Sequence, residues 1–341
     1  MALLFSDSFD FYTTANLGNR YPSFVGDCSI VGGAAPRTGA GCLEVIAGAF
    51  GVARDIPQTL HVLVASMFSC QGSGNVVIFY LGNQGSAGGA AGQQGVCVQL
   101  IPNGDGSLSA QRGPSAGFGP LGTTAPGVFV FNAYNSVALE CTVSAAAIVK
   151  VYCNGQLVLN LSGVDTRNAH QPAVNYINSF ALMGDGLHDD VYVLDCGTPP
   201  NNSYLGAVRV FQGVPTADVS KTWTPSGAEP ANYTQVDEIP PDQNTIFNSS
   251  STIGQADQYS YPLVGLPANS QIFGVQHTMD MQVDSGSRSV TSDIGGNLNA
   301  NAVALASDWT MYPWPYDLNP VTGLAWEAAD FPVAAGPSVT A

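Results

Sequence analysis

The chain has 341 residues, of which 45% are hydrophobic and only 10% charged, the reverse of the balance that keeps chains unfolded. At about 150 residues per domain, this length suggests two domains with ample core. Nine Lys and Arg against 25 Asp and Glu give a net charge of -16, which opposes binding to nucleic-acid phosphates and to anionic lipid.

Glycine, at 39, and proline, at 22, exceed ordinary usage with no collagen-like period, and Lys150 and Lys221 are the only lysines. Surface helices held by charge pairs are thereby nearly excluded, and strands and turns are expected to dominate. Residues 1–10 lack the basic start and apolar stretch of a signal peptide, and no apolar run approaches the roughly 18 residues of a membrane span. The expectation is a protein made in the cytoplasm and not inserted in a membrane.

In chain order, β-branched and aromatic runs bounded by Gly and Ser predict strands at 60–68, 75–81, 95–101, 127–131 and 136–143. Asn154-Gly155 then divides the apolar stretch 148–161 as a type I′ hairpin turn does. Pairing Cys153 with Gln156 groups Ile148 and Tyr152 with Leu157, Leu159 and Leu161 on a face expected to be buried. Further strands at 174–183 and 191–194 complete a helix-free series, which predicts an all-β antiparallel sandwich over residues 1–198.

Two prolines and two asparagines in succession at 199–202 mark the expected boundary, with a smaller β-rich unit over 199–341. Strands are predicted there at 207–211, 258–264 and 271–283, helix-like apolar spacing at 299–309 and a short helical turn at 324–331. Residues 333–341 read as a C-terminal arm. Seven scattered cysteines without any C-x-x-C exclude zinc ribbons and thioredoxin chemistry and are expected as buried hydrophobes. Cys28 and Cys42, flanking one Gly-rich connection, are the candidate disulfide.

Several letter patterns lack the context their chemistry requires. Gly113-Pro114-Ser115-Ala116-Gly117 has the form of a hydrolase elbow, and Gly117-Phe118-Gly119-Pro120-Leu121-Gly122 that of a phosphate loop. Both are flanked by Gly and Pro, where a strand and a helix are needed. The five glutamates, Glu44, Glu140, Glu229, Glu238 and Glu327, are isolated, without the paired spacing of sandwich glycosidases. His61, His170, His188 and His277 are equally dispersed, so they read as structural or surface groups.

Two clusters remain. Asp185, Asp189 and Asp190 surround a loop with hard oxygen donors of the kind calcium takes, and the alternative is that Asp189 or Asp190 caps the loop by accepting backbone N–H bonds. Tyr312-Pro313-Trp314-Pro315-Tyr316 concentrates aromatic rings that suit either a subunit interface or a sugar-stacking surface, with the interface favoured.

The first domain resembles the concanavalin-like, laminin-G-like jelly-roll sandwich of tailed-bacteriophage structural proteins. The resemblance lies in Pro36-Arg37-Thr38-Gly39-Ala40-Gly41-Cys42-Leu43, in the Asn154-Gly155 hairpin and in the run from Leu187-His188-Asp189-Asp190 to Asp195. Leu205-Gly206-Ala207-Val208-Arg209-Val210, Trp223-Thr224-Pro225, Val236-Asp237-Glu238 and the stretch from Asn319 to Trp326 look like the continuation in those proteins. The resemblance implies a non-enzymatic virion subunit of a fibre, spike or decoration, made in the host bacterial cytoplasm. Its expected partners are copies of itself, with a trimer favoured, other virion proteins and a bacterial surface glycan. No cofactor is expected apart from the calcium considered at Asp185, Asp189 and Asp190, and Trp326 joins Tyr312, Trp314 and Tyr316 as a candidate interface or glycan residue. A lectin-like adhesin is the second reading and a polysaccharide-degrading enzyme the third.

Overall fold

The computed structural model describes residues 2–341 apart from 26, 34, 47–50, 73, 84–94, 114–118, 228–230, 264 and 268. Both glycine-rich letter patterns therefore fall partly outside the described residues. The chain divides into two compact units: residues 1–10 with 21–210, and residues 11–20 with 211–341.

Unit 1 is built from β1 (Leu3–Asp7), β2 (Ser23–Val25), β3 (Cys28–Val31), β4 (Cys42–Val45), β5 (Gly51–Thr59), β6 (His61–Cys70), β7 (Phe79–Gly82), β8 (Val96–Pro102), β9 (Leu108–Arg112), β10 (Gly119–Thr123), β11 (Asn135–Thr142), β12 (Ala147–Cys153), β13 (Gln156–Val164), β14 (Ile177–Leu182) and β15 (Gly186–Asp195). Among the described residues they form two antiparallel sheets. One runs β13-β12-β11-β6-β15-β4-β3, with β1 also on β15, and the other runs β10-β9-β8-β7-β14-β5-β2. Side chains from both sheets meet in a core, as where Phe5 of β1 lies against Phe180 of β14 with centroids 5.3 Å apart. The predicted antiparallel sandwich is the fold of this unit.

The hairpin forms as its letters predict: Cys153 pairs with Gln156, and Asn154 and Gly155 take φ of 49° and 82°. The predicted buried face is corrected. A bulge between the Tyr152–Leu157 and Val151–Leu159 pairs turns Leu159 and Leu161 to the side of Val149 and Val151, away from Ile148 and Tyr152. It is Val149, Val151 and Cys153 that are buried, while Leu157 is 48% exposed. Residues 127–131 form a turn and not a strand, with the Phe129 N–H donating to the Gly106 carbonyl. All seven cysteines are free and buried. Cys28 and Cys42 lie on paired strands but opposite Val45 and Val31, which separates them by roughly 10 Å along the strand, beyond disulfide reach.

The proline-rich stretch after β15 stays with unit 1. Tyr204, Leu205 and Val208 pack on a cluster of Leu3, Leu63, Ala65, Ala138, Tyr192, Leu194 and Cys196. The predicted strand at 207–211 does not form, because its polar backbone groups are engaged by side chains: the Val210 N–H donates to Asp190, and the Val208 carbonyl accepts from Arg37.

Unit 2 contains β16 (Ala217–Ser220), β17 (Thr224–Pro225), β18 (Asn248–Ser249), β19 (Gln258–Tyr261), β20 (Val275–Met281), β21 (Ser289–Ile294), β22 (Asn297–Leu298), β23 (Val303–Ala304), β24 (Thr310–Tyr316) and β25 (Val333–Val339). Its main sheet runs β16-β19-β25-β21-β22. The expected C-terminal arm is thus corrected: β25 is an inner strand, bonded to both β19 and β21. The helix-like spacing at 299–309 is also overruled. Val303 and Leu305 alternate onto the core with the period of a strand, and β23 pairs with β21. The predicted turn within 324–331 appears as a short 3-10 helix, Ala328–Asp330. No helix among the described residues is long and apolar enough to cross a membrane.

Candidate functional site

The predicted aromatic cluster is brought together, but inside unit 2. Trp314, Tyr316 and Trp326 are only 2%, 6% and 3% exposed, and with Tyr312 beside them they fill the core around Met281, Val290 and Ile294. Their polar atoms are used internally: the indole N–H of Trp314 donates to the Asn301 carbonyl at 2.9 Å, and that of Trp326 to the Tyr316 carbonyl at 3.1 Å. Alternation along β24 decides this, since Trp314 and Tyr316 lie two apart on one side of the strand. The reading of Trp314, Tyr316 and Trp326 as a surface for subunits or sugars is corrected, because rings this deeply covered have no free face to stack on, whereas Tyr312 is only partly buried.

The acidic cluster divides. Asp185 stands at the turn before β15, while Asp189 and Asp190 are 0% and 1% exposed. One Asp189 oxygen accepts the N–H groups of Arg37 and Thr38 at 2.9 and 3.0 Å. Asp190 binds the Arg37 guanidinium at 2.8 Å, the Thr38 hydroxyl at 3.0 Å and the Val210 N–H at 2.7 Å. Asp190 takes a φ of 49°, a left-handed conformation that aspartate tolerates better than most residues, at the irregularity between β15 and β6. Burial, then the Asp190 charge, pushes the Asp189 carboxyl up to about 7, against the pull of three backbone N–H bonds. Protein donors occupy the Asp189 and Asp190 carboxylates, which is the arrangement of the capping alternative.

Unit 2 has a comparable lock. Asp257 is fully buried and accepts the N–H groups of Thr222 and Trp223 at 2.6 and 2.8 Å, the Asn232 amide at 2.6 Å and the Tyr259 hydroxyl at 2.9 Å. Little in the local sequence marks Asp257, since apart from Tyr259 its partners lie at 222–223 and 232, well before it in the chain.

A third constellation escaped the sequence reading. Glu140, scattered like the other glutamates, is 2% exposed on β11 and faces three donors. His61 Nε2 and Lys150 Nζ both lie 2.9 Å from its Oε1, and the Tyr152 hydroxyl donates to Oε2 at 2.9 Å. Burial works to raise this carboxyl, and the bonds from His61, Lys150 and Tyr152 overrule it, holding it at about 2. The Cys196 thiol lies close by, pushed up to about 12 by burial and by the charges of Glu140 and Asp195. One donor atom each from His61, Glu140 and Cys196 fall within 4.8 Å of one another, the residues among those described that could share a metal ion. Register makes the meeting: Thr142 pairs with His61 and Glu140 with Leu63 across β11 and β6, and the Cys196 N–H donates to the His61 carbonyl.

No family model matches the chain, and no curated protein does. Among solved structures, sheep galectin-11 in complex with glycerol is similar at 13% identity over 42% of this chain and 97% of that one, with a TM-score of 0.31. An endo-β-1,4-glucuronan lyase from the fungus Trichoderma reesei is similar at 14% identity over 56% and 95%, with a TM-score of 0.34. A cellulose-induced protein is similar at 12% identity over 56% and 95%, with a TM-score of 0.36.

Proposed function

We propose that this protein is a non-enzymatic structural subunit of a bacteriophage particle, made in the host cytoplasm and assembling with copies of itself and with other virion proteins. The observation that supports this is where the phage-like residues lie. Arg37 and Thr38 meet Asp189, Asp190, Val208 and Val210 in one buried lock, and Trp223 is pinned by Asp257 in the other unit. These side chains hold loops and linker in place and engage one another, which suits a durable building block. The chain is poor in lysine and carries a net charge of -16, so copies that pack symmetrically are expected to meet through uncharged side chains, with the acidic groups kept away from the contact. Native mass spectrometry of the purified chain is expected to show a closed oligomer, and immunogold labelling is expected to decorate phage particles. A strictly monomeric chain that leaves particles unlabelled would overturn the reading.

A second reading, a lectin-like adhesin, is favoured by a different observation. Tyr80, Gln99 and Gln111 stand in one cross-strand row of the second sheet, with the Gln99 amide donating to Gln111 at 2.7 Å. The Gln99 carbonyl oxygen and both polar atoms of Asn83 are buried without a hydrogen-bond partner. Gln99 and Asn83 are only 2% and 3% exposed, so the amide a sugar hydroxyl would reach is the half-buried Gln111, with Gln99 holding it from beneath. A bacterial glycan array separates the readings: retention by the wild type that Gln99→Ala abolishes supports the adhesin, and no retention sinks it.

A further inference from the structure

We propose that His61, Glu140 and Cys196 form a binding site for a divalent cation of the zinc class, with water in the fourth position. This site is independent of the assembly and adhesin readings. Its three donors are a nitrogen, an oxygen and a sulfur, the mixture that borderline-soft cations take and that calcium, which binds oxygens alone, does not. Tetrahedral zinc with bonds of about 2.0–2.3 Å sets its ligand atoms roughly 3.3–3.8 Å apart. His61 Nε2 and Glu140 Oε1, 2.9 Å apart, would part by roughly 0.4 Å, and the Cys196 sulfur, within 4.8 Å of both, would close by at most roughly 1.3 Å.

The surroundings match what such a site needs. The three ligands come from β6, β11 and the residue after β15, adjacent strands of one sheet, and the bond from Cys196 N–H to the His61 carbonyl at 2.8 Å fixes two of them together. The Tyr152 hydroxyl holds Oε2 of Glu140, turning Oε1 toward His61, the outer support that metal-binding carboxylates commonly have. A carboxylate and a thiolate together balance a doubly charged ion. Lys150 supplies a positive charge at 2.9 Å from the same Oε1 and so competes with the cation for it. Its side chain is 28% exposed and that of His61 22%, so the ammonium has a route to solvent when a cation arrives. Binding releases the thiol proton of Cys196 to solvent as the sulfur–metal bond forms.

The test uses the full chain, stripped with a chelator and titrated with Zn2+ by calorimetry and with Co2+ by absorbance. One equivalent is expected to bind, with a thiolate-to-cobalt charge-transfer band in the near ultraviolet. Cys196→Ser is expected to remove the band, and His61→Ala to weaken zinc binding at least tenfold. Lys150→Met, which deletes the competing ammonium, is expected to tighten zinc binding at least tenfold. Because two variants lose binding and the third gains it, a general loss of folding cannot imitate the pattern. Absence of saturable binding at one equivalent would overturn the proposal, as would a cobalt band that survives in Cys196→Ser or a Lys150→Met variant that binds no more tightly than wild type.

Discussion

Glu140 on β11 and Asp189 on β15 are both shut away from solvent on the same sheet of unit 1, yet burial ends differently for them. Glu140 is held charged, down at about 2, whereas Asp189 is pushed up to about 7. Desolvation opposes the charge in both, so the partners decide. Glu140 has an ammonium, a phenol and an imidazole on its two oxygens. Asp189 has backbone N–H groups, while the nearby guanidinium of Arg37 goes to Asp190, whose own charge then repels it. Asp190 is itself raised by burial although it holds the guanidinium, so a single cation does not offset depth, whereas the three donors gathered on Glu140 do.

Removing the member that takes the guanidinium breaks this contrast most severely. Asp190→Ala strands Arg37 and frees the Val210 N–H, and the expected cost is roughly 3–4 kcal/mol in urea unfolding, somewhat below a fully buried pair because Arg37 is 28% exposed. A loss under about 1 kcal/mol would show that the lock contributes little beyond packing.

A pH series of unfolding midpoints with chelator present sharpens the comparison next. The Glu140 carboxyl is lowered from 4.5, so its stabilisation is full above that value and is lost as pH falls through about 2, an effect of about 3 kcal/mol. Asp189 is raised from 3.8, so its contribution runs the other way, present at low pH and lost as pH rises through about 7. Glu140→Gln is expected to flatten the acid limb and leave the limb near neutrality intact. If both limbs change together, the two groups are not independent.

Tyr152→Phe is the mildest probe. It deletes one hydrogen bond to Oε2 of Glu140, with an expected cost of about 1 kcal/mol and an acid limb displaced to higher pH. An unchanged acid limb would assign the low value of Glu140 to Lys150 and His61 alone.

The strand series, the sandwich and the Asn154-Gly155 turn were legible in the residues because each depends on neighbours a few positions away. The bulge in β13 was not, and it alone reversed the assignment of Leu159 and Leu161, since one extra residue moves every later side chain to the other face. The aromatic run was legible as a cluster, but whether it faced solvent or core depended on what covers β24, which the run itself does not encode. His61, Glu140 and Cys196 looked scattered because they are distant in sequence and meet only through strand pairing.

The amino-acid order by itself determined that this chain builds antiparallel sheets joined by tight turns, because period, turn chemistry and the scarcity of lysine and glutamate act locally. Only the tertiary structure decided which carboxylate receives a cation, which aromatic rings are covered and which three donors share a site. Those outcomes depend on register between strands far apart in the chain, and register is settled by the packing of whole sheets.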